Sequence, residues 1–547
     1  MASGLESKKT YIGLSVGNHN SVIAIINKEH RAEVIANEDG EHKTPTCIAF
    51  SGEEEYHGSQ AKHQFVRNAK NTLVGFRNLL GKQYSGDAGK HTGSARIEAG
   101  ADGKAQFVVT IENDEGQSNE LRLAAEDAME RYLRRLRTTA EEYLGRKIDG
   151  AVLAHPVGFG EEQKSALQAA CQKAGLELLQ LIPEPVACAL QYGLGNDASH
   201  DDAKDTVAVV VDVGGTGADV SVVGVHGGLF TLIGSVHTDE ISGEILDEVL
   251  VKHFAGEFKK QTGIDVLDTT NDSRPIRKLR QAVELTKKTL SSATTAPCAV
   301  ESLSGGMDFN SNINRTRFDI MSGKAYAPLL DAIAKAIEKA GYTSSHIDQV
   351  LLCGGAARIR KLQSRVISLF PESTVLRDDG GELDEVIASG CAEQAALIAQ
   401  GITDPASGAD VQAKAVTKPL GLQVAADKLI PVLLKDTPLP ASRTVKVALP
   451  AGEKRAYIAV SEGEPVALPP VDDDSEDEDE DAAEAEEKER ILYRPSKLLA
   501  EMVLELEKVD ANTRLLVKFF VGTDGKLTVT ATEPVSGKSI TAEIPAQ

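Results

Sequence analysis

The sequence predicts an α/β protein that ends in a small all-β module. Strands alternate with amphipathic helical stretches up to residue 400, whereas short strands separated by turn residues predominate after residue 416. Alternation is typical of sheets covered by helices, and closely spaced strands are typical of small β domains. Because 547 residues are too many for one hydrophobic core, we place an α/β domain at residues 1–401, a polar linker at 402–415 and the β module at 416–547.

The first elements form a predicted hairpin with a glycine at its bend. The apolar runs YIGLSV and VIAIIN flank the turn residues, and the pattern LSVGN at residues 14–18 returns as VDVGG at residues 211–215. A strand that runs into a glycine tip presents backbone N–H groups to a phosphate, and two facing tips can clamp a polyphosphate. The second tip has a carboxylate, Asp212, where the first has Ser15, so we expect binding without efficient chemistry.

The middle of the chain alternates strands with helices. Runs rich in β-branched residues predict strands that begin at Ala151, Val207 and Val350. Amphipathic periodicity predicts helices at residues 161–174, 358–370 and 383–400. This order favours sheets that are covered on their faces by helices.

The last part of the chain reads as short strands with turns between them, and the predicted strands are PLGLQVA, TVKVALP, RAYIAVSE, LLVKFFV, LTVTATE and SITAEIP. The segment GTDGK at residues 522–526 has the residues of a hairpin turn between two alternating strands. Residues 472–489 contain 13 acidic residues and one lysine. Like-charge repulsion predicts a solvated insertion loop there, and an interaction arm is the alternative.

Composition excludes several classes of function. The formal net charge is −23, but the acidic insertion alone accounts for −12 of it, and no lysine- or arginine-rich patch suits direct nucleic-acid binding. The six cysteines contain no C-x-x-C pair, which argues against a zinc knuckle or a secreted disulfide framework. Without a targeting segment or an apolar run of membrane length, we expect a cytoplasmic protein with reduced thiols.

Two stretches suit the phosphate end of a nucleotide. Gly214 and Gly215 allow close backbone approach, and Asp212 could hold Mg²⁺ through water, although a glycine turn capped by an aspartate is the alternative. Glu184 comes just before Pro185 at a predicted helix start, where its carboxylate could face the metal or a water molecule. A simple N-terminal cap remains an equal alternative for Glu184.

Two further stretches suit the nucleoside end. Gly354 and Gly355 follow an apolar strand and allow a ring or ribose to approach, and the Arg358 guanidinium could stack on a base. Acceptor, donor and hydroxyl side chains also recur at helical spacing on one predicted face, which suits ribose hydroxyls and an adenine ring. These are Glu284, Lys287, Lys288 and Ser291. A solvated helix flank is the alternative for that face.

Together, the order and spacing of these stretches resemble the DnaK-type chaperones, the seventy-kilodalton heat-shock family, over nearly the whole chain. The resemblance implies an actin-like fold of two lobes around ATP, with or without Mg²⁺, followed by a β-sandwich that grips extended peptides. The positions that match the family's nucleotide contacts are Gly17, Gly214, Gly215, Thr216, Glu284, Lys287, Lys288, Ser291, Gly354, Gly355, Arg358 and Asp384, with Lys288 in place of an arginine.

Several catalytic positions depart from the family pattern. Ser15 replaces an aspartate, and Asn18 and His19 replace hydroxyl residues. Arg77 replaces the catalytic lysine, and Gly217 takes the place of a threonine that serves the γ-phosphate. Glu184 and Asp212 are retained. Because one lost transition-state contact commonly costs about 2.7–4 kcal/mol, the resemblance implies an ATP-binding pseudo-enzyme in which no catalytic residue is fully competent.

Two more departures concern the coupling between domains. The linker lacks the family's apolar run, and the sequence ends after the β module, where the family has a helical lid. These features resemble the atypical fungal branch of the family, whose member forms a stable ribosome-associated complex with the J-domain protein zuotin. The resemblance implies a cytoplasmic regulatory subunit that reaches the ribosome through this partner and assists a ribosome-bound chaperone of the same family with nascent chains. It implies no membrane and no direct nucleic-acid contact.

Other classes remain open at this point. An active ATP-hydrolysing, peptide-binding chaperone would keep the first-tip aspartate, the lysine and the lid. A nucleotide-exchange factor of the same family would be a longer chain with an extended helical region. Sugar kinases and actin-like filament proteins share the two-lobed fold, but the β module fits neither of them, and a fold alone does not assign a function.

Overall fold

A computed structural model gives the protein a mixed α/β architecture. The described residues are 9–86, 94–112, 117–194, 206–226, 229–268, 274–378, 381–400, 416–425, 427–433, 435, 437, 439, 441–448, 455–466, 492–506, 514–522, 524–534 and 536–545. The predicted linker at 402–415 and the acidic insertion at 472–489 lie outside them. Within the described residues, none of the helices combines the length and the apolar character that a membrane crossing requires.

The first part of the chain, residues 9–194, is built around one sheet of strand order β12-β11-β1-β2-β3. Its elements are β1 (Tyr11–Val16), β2 (Asn20–Ile26), β3 (Ala32–Val34), β4 (Thr44–Pro45), β5 (Cys47–Ser51), β6 (Glu54–His57), α1 (Gly58–Asn68), β7 (Thr72–Val74), β8 (Arg96–Ala99), β9 (Ala105–Glu112), β10 (Ser118–Ala124), α2 (Ala125–Leu144), β11 (Gly150–His155), α3 (Glu161–Lys173), β12 (Leu178–Pro183) and α4 (Glu184–Gln191).

The second part, residues 206–400, is built around a sheet of strand order β19-β18-β13-β14-β15. Its elements are β13 (Thr206–Val213), β14 (Ala218–His226), β15 (Leu229–Thr238), α5 (Gly243–Thr262), α6 (Arg274–Ser292), β16 (Thr295–Ser304), β17 (Met307–Asn314), α7 (Arg315–Ser322), α8 (Ala327–Lys339), β18 (Gln349–Cys353), α9 (Arg360–Ile367), β19 (Val375–Arg377) and α10 (Val386–Ala399).

The two sheets repeat one arrangement. In the first, β1 pairs antiparallel with β2 and parallel with β11, and in the second β13 pairs antiparallel with β14 and parallel with β18. The repeated glycine patterns therefore occupy the same place in both sheets, at the turn of a hairpin that starts from a central strand. The predicted hairpin at the start of the chain is confirmed.

Helices α4 and α10 join the two sheets through a shared apolar core. This cluster takes buried residues from both sheets, including Val152 of β11 and Val210 of β13. The two helices also approach so closely that a Cβ atom on Gly390 would lie 1.8 Å from the carbonyl oxygen of Ala187. Only glycine fits at that crossing, so the sequence sets how near α10 lies to α4.

The C-terminal strands form two sheets around one core. Strands β20, β21, β24 and β23 close a small barrel, and a second sheet has the order β22-β25-β26-β27. The elements are β20 (Leu420–Ala425), β21 (Lys428–Leu433), β22 (Ala441–Ala448), β23 (Arg455–Val466), β24 (Leu492–Glu505), β25 (Arg514–Val521), β26 (Leu527–Thr532) and β27 (Ser539–Ile544). The predicted hairpin at residues 522–526 is confirmed by the pairing of β25 with β26.

Two predicted helices start later than the periodicity indicates. The helix predicted at 358–370 is α9, which begins at Arg360, because residues Gly355–Arg358 form a 3-10 turn after the strand. The helix predicted at 383–400 is α10, which begins at Val386. There, the Gly354 N–H donates to the Leu383 carbonyl at 2.8 Å, which holds the chain before α10 against the turn after β18.

Candidate functional site

Every site residue predicted from the sequence lines a single cleft of 1160 Å³. The cleft receives side chains from both central sheets and from the helices that follow them. The predicted residues on its walls are Ser15, Gly17, Asn18, Arg77, Glu184, Asp212, Gly214, Gly215, Thr216, Gly217, Glu284, Lys287, Lys288, Ser291, Gly354, Gly355, Arg358 and Asp384.

The two glycine tips meet across the cleft. Each tip is a tight turn, in which the Gly17 N–H donates to the Asn20 carbonyl at 3.0 Å and the Gly214 N–H donates to the Gly217 carbonyl at 2.9 Å. The Asn18 amide, Nδ2, lies 3.4 Å from Thr216 Oγ1 and donates to it. The Thr216 hydroxyl of the second tip is therefore a hydrogen-bond partner of Asn18 in the first tip.

An ion pair occupies the wall beside the first tip. Arg77 Nη1 donates to Glu184 Oε1 at 3.0 Å and to the Val16 carbonyl at 3.1 Å. The two charged side chains are only 14% and 10% exposed, so neither charge is well solvated. Burial raises the pKa of Glu184, an effect that Arg77 opposes. The guanidinium thus serves mainly to neutralise a buried carboxylate.

Asp212 has an unfavourable setting for a negative charge. It lies directly opposite Asp219 in the β13–β14 hairpin. Burial, followed by the nearby charges of Glu184 and Asp219, raises the pKa of Asp212 to about 8, although Arg77 acts in the opposite sense. A divalent cation would favour the ionised form, so this position suits a metal bound with the help of phosphate oxygens and water.

The sequence analysis missed a charged group on the same side of the cleft. His237 of β15 lies between two carboxylates, with Nδ1 2.9 Å from Asp219 Oδ1 and Nε2 2.8 Å from Asp239 Oδ1. The hydrogen bond with Asp219 is the main reason that the pKa of His237 is raised to about 9. The position of Asp219 opposite Asp212 can be inferred from the register of the hairpin. Only the folded structure brings His237 into contact with Asp219.

Two lysines and a histidine surround the Glu284 carboxylate on the opposite wall of the cleft. Lys62 of α1 donates to both of its oxygens at 3.0 and 2.9 Å, Lys288 donates to Oε1 at 2.7 Å, and the His19 ring lies at 3.5 Å. Burial alone would raise the pKa of Glu284, but these neighbours lower it well below its usual range. Sequence periodicity identified Glu284 and Lys288, whereas Lys62 and His19 come from distant segments.

Lys287 points to a different partner. Its ammonium group donates to the Gly243 carbonyl at 2.6 Å and to Asp247 Oδ2 at 2.8 Å, and the side chain is largely buried. The predicted helix face is therefore divided between two uses. Lys287 ties α6 to the start of α5, while Glu284 and Lys288 form the ion cluster at the cleft.

The remaining wall contains the turn after β18. Gly354 has a φ of 84°, and a Cβ atom there would lie 2.3 Å from Asp212 Oδ1, so any larger residue would disturb both the backbone and the Asp212 carboxylate. Arg358 forms ion pairs with Asp384 and Glu382, and Lys43 from the first part of the chain also contacts Asp384. The missed residue Lys43 thus links the two sides of the cleft here.

Comparison with known proteins identifies the family. A family model described as "Hsp70 protein" matches residues 11–472. The chain belongs to the Hsp70 family. This confirms the resemblance found in the sequence and gives the chain the class of Hsp70-type chaperones, which bind ATP, typically with Mg²⁺.

Several Hsp70 relatives are similar over most of the chain. A heat shock protein 70 homolog of Schizosaccharomyces pombe is 38% identical over 97% of this chain and 95% of its own length. The ribosome-associated complex subunit SSZ1 of Saccharomyces cerevisiae is 34% identical over 97% of this chain and 99% of its own length. The ribosome-associated molecular chaperone SSB of Candida glabrata is 30% identical over 96% of this chain, which spans 80% of that protein.

The residues of this Hsp70 cleft fit a nucleotide. The glycines of the two tips and of the turn after β18 leave backbone exposed. Burial and the charges of Glu184 and Asp219 raise the pKa of Asp212 despite Arg77, so a bound cation would stabilise its ionised form. Three cleft atoms in the described part of the chain, Asn18 Oδ1, Asp247 Oδ1 and Arg358 Nε, are buried without a hydrogen-bond partner. Buried polar atoms of this kind are usually satisfied, and a ligand with both donors and acceptors would satisfy them. The same residues hold no cluster of three or more His, Cys, Asp or Glu side chains arranged as a metal site.

Proposed function

We propose that this Hsp70 protein binds ATP with little or no hydrolysis and acts as a regulatory subunit of a ribosome-associated complex with the J-domain protein zuotin. The observation that carries the chemical part is the ion pair between Arg77 and Glu184. At the position of the family's catalytic lysine, the cation is paired with a carboxylate, and the neighbouring tip residue is the neutral Ser15. The cleft then has groups that bind phosphate but few that are free to promote its transfer.

The other charges at the phosphate end support this proposal. Asp219 is paired with His237, so this carboxylate is also neutralised within the protein. Asp212 would hold Mg²⁺ through water, and a bound metal would supply charge neutralisation to the phosphates. Backbone N–H groups at the two tips would orient the phosphates. The chain's own side chains therefore favour retention of the nucleotide over proton transfer to or from an attacking water.

The assembly part of the proposal is supported by similarity to SSZ1, which extends over 99% of that protein. We propose that residues 1–401 form a two-lobed, actin-like nucleotide domain, that 402–415 form the linker and that 416–547 form a sandwich-like module for a partner segment. The sheet β22-β25-β26-β27 ends in two outer strands, and an outer strand can pair with an extended segment of another chain. An extended segment of zuotin is the proposed occupant. The complex would work in the cytoplasm, contact the ribosome through the partner and assist a ribosome-bound family chaperone with nascent chains.

A single-turnover experiment tests the chemical part. The purified protein is loaded with radiolabelled ATP and Mg²⁺, separated from free nucleotide, and sampled for retained ATP and ADP with and without the J-domain partner. Retained ATP under both conditions is the expected result. Conversion to ADP that the partner accelerates would instead favour the active-chaperone alternative.

A sedimentation experiment tests the assembly part. The protein alone should stay away from ribosomes in a sucrose gradient, whereas the protein with zuotin should sediment with them. Accelerated release of nucleotide from another Hsp70 chaperone would instead favour the exchange-factor alternative. Ribosome binding by the protein alone would contradict contact through the partner.

A further inference from the structure

His19 lies at the point where the two tips meet. It belongs to the first tip, between β1 and β2, and a Cβ atom placed on Gly215 would be only 2.7 Å from the His19 Cβ atom and 2.9 Å from its Cγ atom. The imidazole therefore lies against the backbone of the second tip. The side chain is 32% exposed and lines the cleft, which places it beside the position proposed for the nucleotide phosphates.

Two carboxylates from the opposite side of the cleft flank the ring. His19 Nδ1 is 3.6 Å from Glu244 Oε1 in the first turn of α5, and Nε2 is 3.5 Å from Glu284 Oε1 on α6. Burial by itself lowers the pKa of His19, but these two carboxylates outweigh it, so the pKa is raised above 6.5. We call His19, Glu244 and Glu284 the histidine clasp.

The other charges near the clasp come from each element packed against it. Lys62 on α1 opposes protonation of His19, but it shares Glu284 with the ring and with Lys288 on α6. Lys287 on α6 pairs with Asp247 on α5, but Asp247 Oδ1 is buried without a hydrogen-bond partner, and burial raises the pKa of Asp247 against the opposing charges of Lys287 and His19. The second tip contributes glycine backbone and the Thr216 hydroxyl. The carboxylates thus determine the preferred charge of the ring.

We propose that His19 makes nucleotide binding proton-linked: held by the clasp beside the two tips, its imidazolium form binds the phosphates of a nucleoside di- or triphosphate, so that binding takes up a proton. This inference rests on the proposed nucleotide binding. An added phosphate is a third anion near a ring that already faces two carboxylates, and nearby negative charge favours the protonated form. Because linkage is reciprocal, protonation of His19 must strengthen nucleotide binding by the same factor.

The direction of the pH effect follows from the raised pKa. Below that pKa the ring is charged, and its contribution to affinity is fully present. As the pH rises through it, the ring loses the proton and the contribution disappears. A nucleotide-induced rise of about half to one pKa unit corresponds to about a threefold to tenfold change in affinity.

Calorimetric titration with Mg-ATP between about pH 6 and about pH 9 tests the inference, because that range brackets histidine titration. The variants are His19→Asn and the control His30→Asn. His30 is an exposed turn residue with a φ of 59°, a conformation that asparagine accepts. At low pH, His19→Asn should bind about threefold to tenfold more weakly than wild type, and the ratio should fall to about one at high pH. His30→Asn should match wild type throughout.

The ratio of the wild-type affinity to the His19→Asn affinity, taken at each pH, separates the effect of His19 from the effects of Asp212 and His237, which also titrate in the cleft.

A second readout is the NMR titration of the His19 ring in the full-length protein. ATP should raise the imidazole pKa, and Glu244→Gln should lower it in the absence of nucleotide. This readout does not depend on the folding of His19→Asn. A pH-independent ratio, or an imidazole pKa that ATP leaves unchanged or lowers, would overturn the inference while leaving nucleotide binding intact. Failure of the wild type to bind ATP at any pH would overturn the proposed function as well.

Discussion

Replacing Asp212 with asparagine should stabilise the nucleotide-free protein. The carboxylate lies opposite Asp219 in the hairpin register, and burial together with Glu184 and Asp219 raises the pKa of Asp212 to about 8. Asparagine has nearly the same shape and carries no charge. The substitution therefore removes an electrostatic cost while it keeps the packing around the second tip.

The magnitude follows from the pKa of Asp212 in the two states. The Asp212 carboxyl has a pKa near 3.8 in the unfolded chain, and its surroundings raise this pKa to about 8 in the folded protein. Between these two pH values the folded state binds more protons than the unfolded state, so the stability of the wild type decreases as the pH rises. Because one pKa unit corresponds to about 1.4 kcal/mol, the cost at pH 8 has an upper limit of about 6 kcal/mol. Water in the cleft screens part of this cost, so we expect Asp212→Asn to gain about 1–3 kcal/mol at pH 8.

Urea unfolding followed by circular dichroism measures this gain. Wild type, Asp212→Asn and the exposed-turn control Asp427→Asn are compared without nucleotide at about pH 5 and about pH 8, on either side of most of the titration. The gain for Asp212→Asn should be clearly larger at the higher pH, and Asp427→Asn should remain close to wild type at both. A gain that does not change with pH, or a variant less stable than wild type at pH 8, would refute the electrostatic argument.

Three further predictions concern the same cleft and core. Gly354→Ala places a Cβ atom 2.3 Å from Asp212 Oδ1 at a positive φ. The variant protein should lose more than about 2 kcal/mol of stability in urea unfolding and should not bind ATP, and an unchanged unfolding midpoint would contradict this. Arg77→Ala leaves Glu184 buried without its cation and should cost about 3 kcal/mol in the same assay, whereas Arg77→Lys should cost less; equal stability of Arg77→Ala and wild type would argue against the ion pair. All six cysteines are buried, and burial raises the pKa of Cys171 to about 12, so Ellman's reagent should react with them only after unfolding, and rapid reaction of the native protein would contradict their burial.

The regular elements with strong periodicity were predictable from the sequence. The β1–β2 hairpin and strand β13 follow from hydrophobic and β-branched patterns among residues that are adjacent in the sequence. The starts of α9 and α10 were predicted too early, because the turn after β18 and its hydrogen bond to Leu383 compete with helical geometry. Strands β21 and β24 were missed, since their pairing depends on partners elsewhere in the barrel.

The candidate site was predictable in its residues but not in its charge pairing. Local motifs identified Asp212, Glu184 and Glu284, and the structure places all of them on one cleft. The partners that set their charge, such as Lys62, come from segments far away in the sequence. Ion pairing depends on distances of a few ångströms between such segments, and no local pattern contains those distances.

The sequence by itself determined the family, the two glycine tips and the positions at which we predict an altered catalytic pattern, because these depend on residue identity and spacing along the chain. Only the tertiary structure decided that Arg77 neutralises Glu184, that His237 neutralises Asp219 and that His19 lies between Glu244 and Glu284. The physical reason is that the charge state of a buried group depends on solvent exclusion and on neighbours brought together by folding.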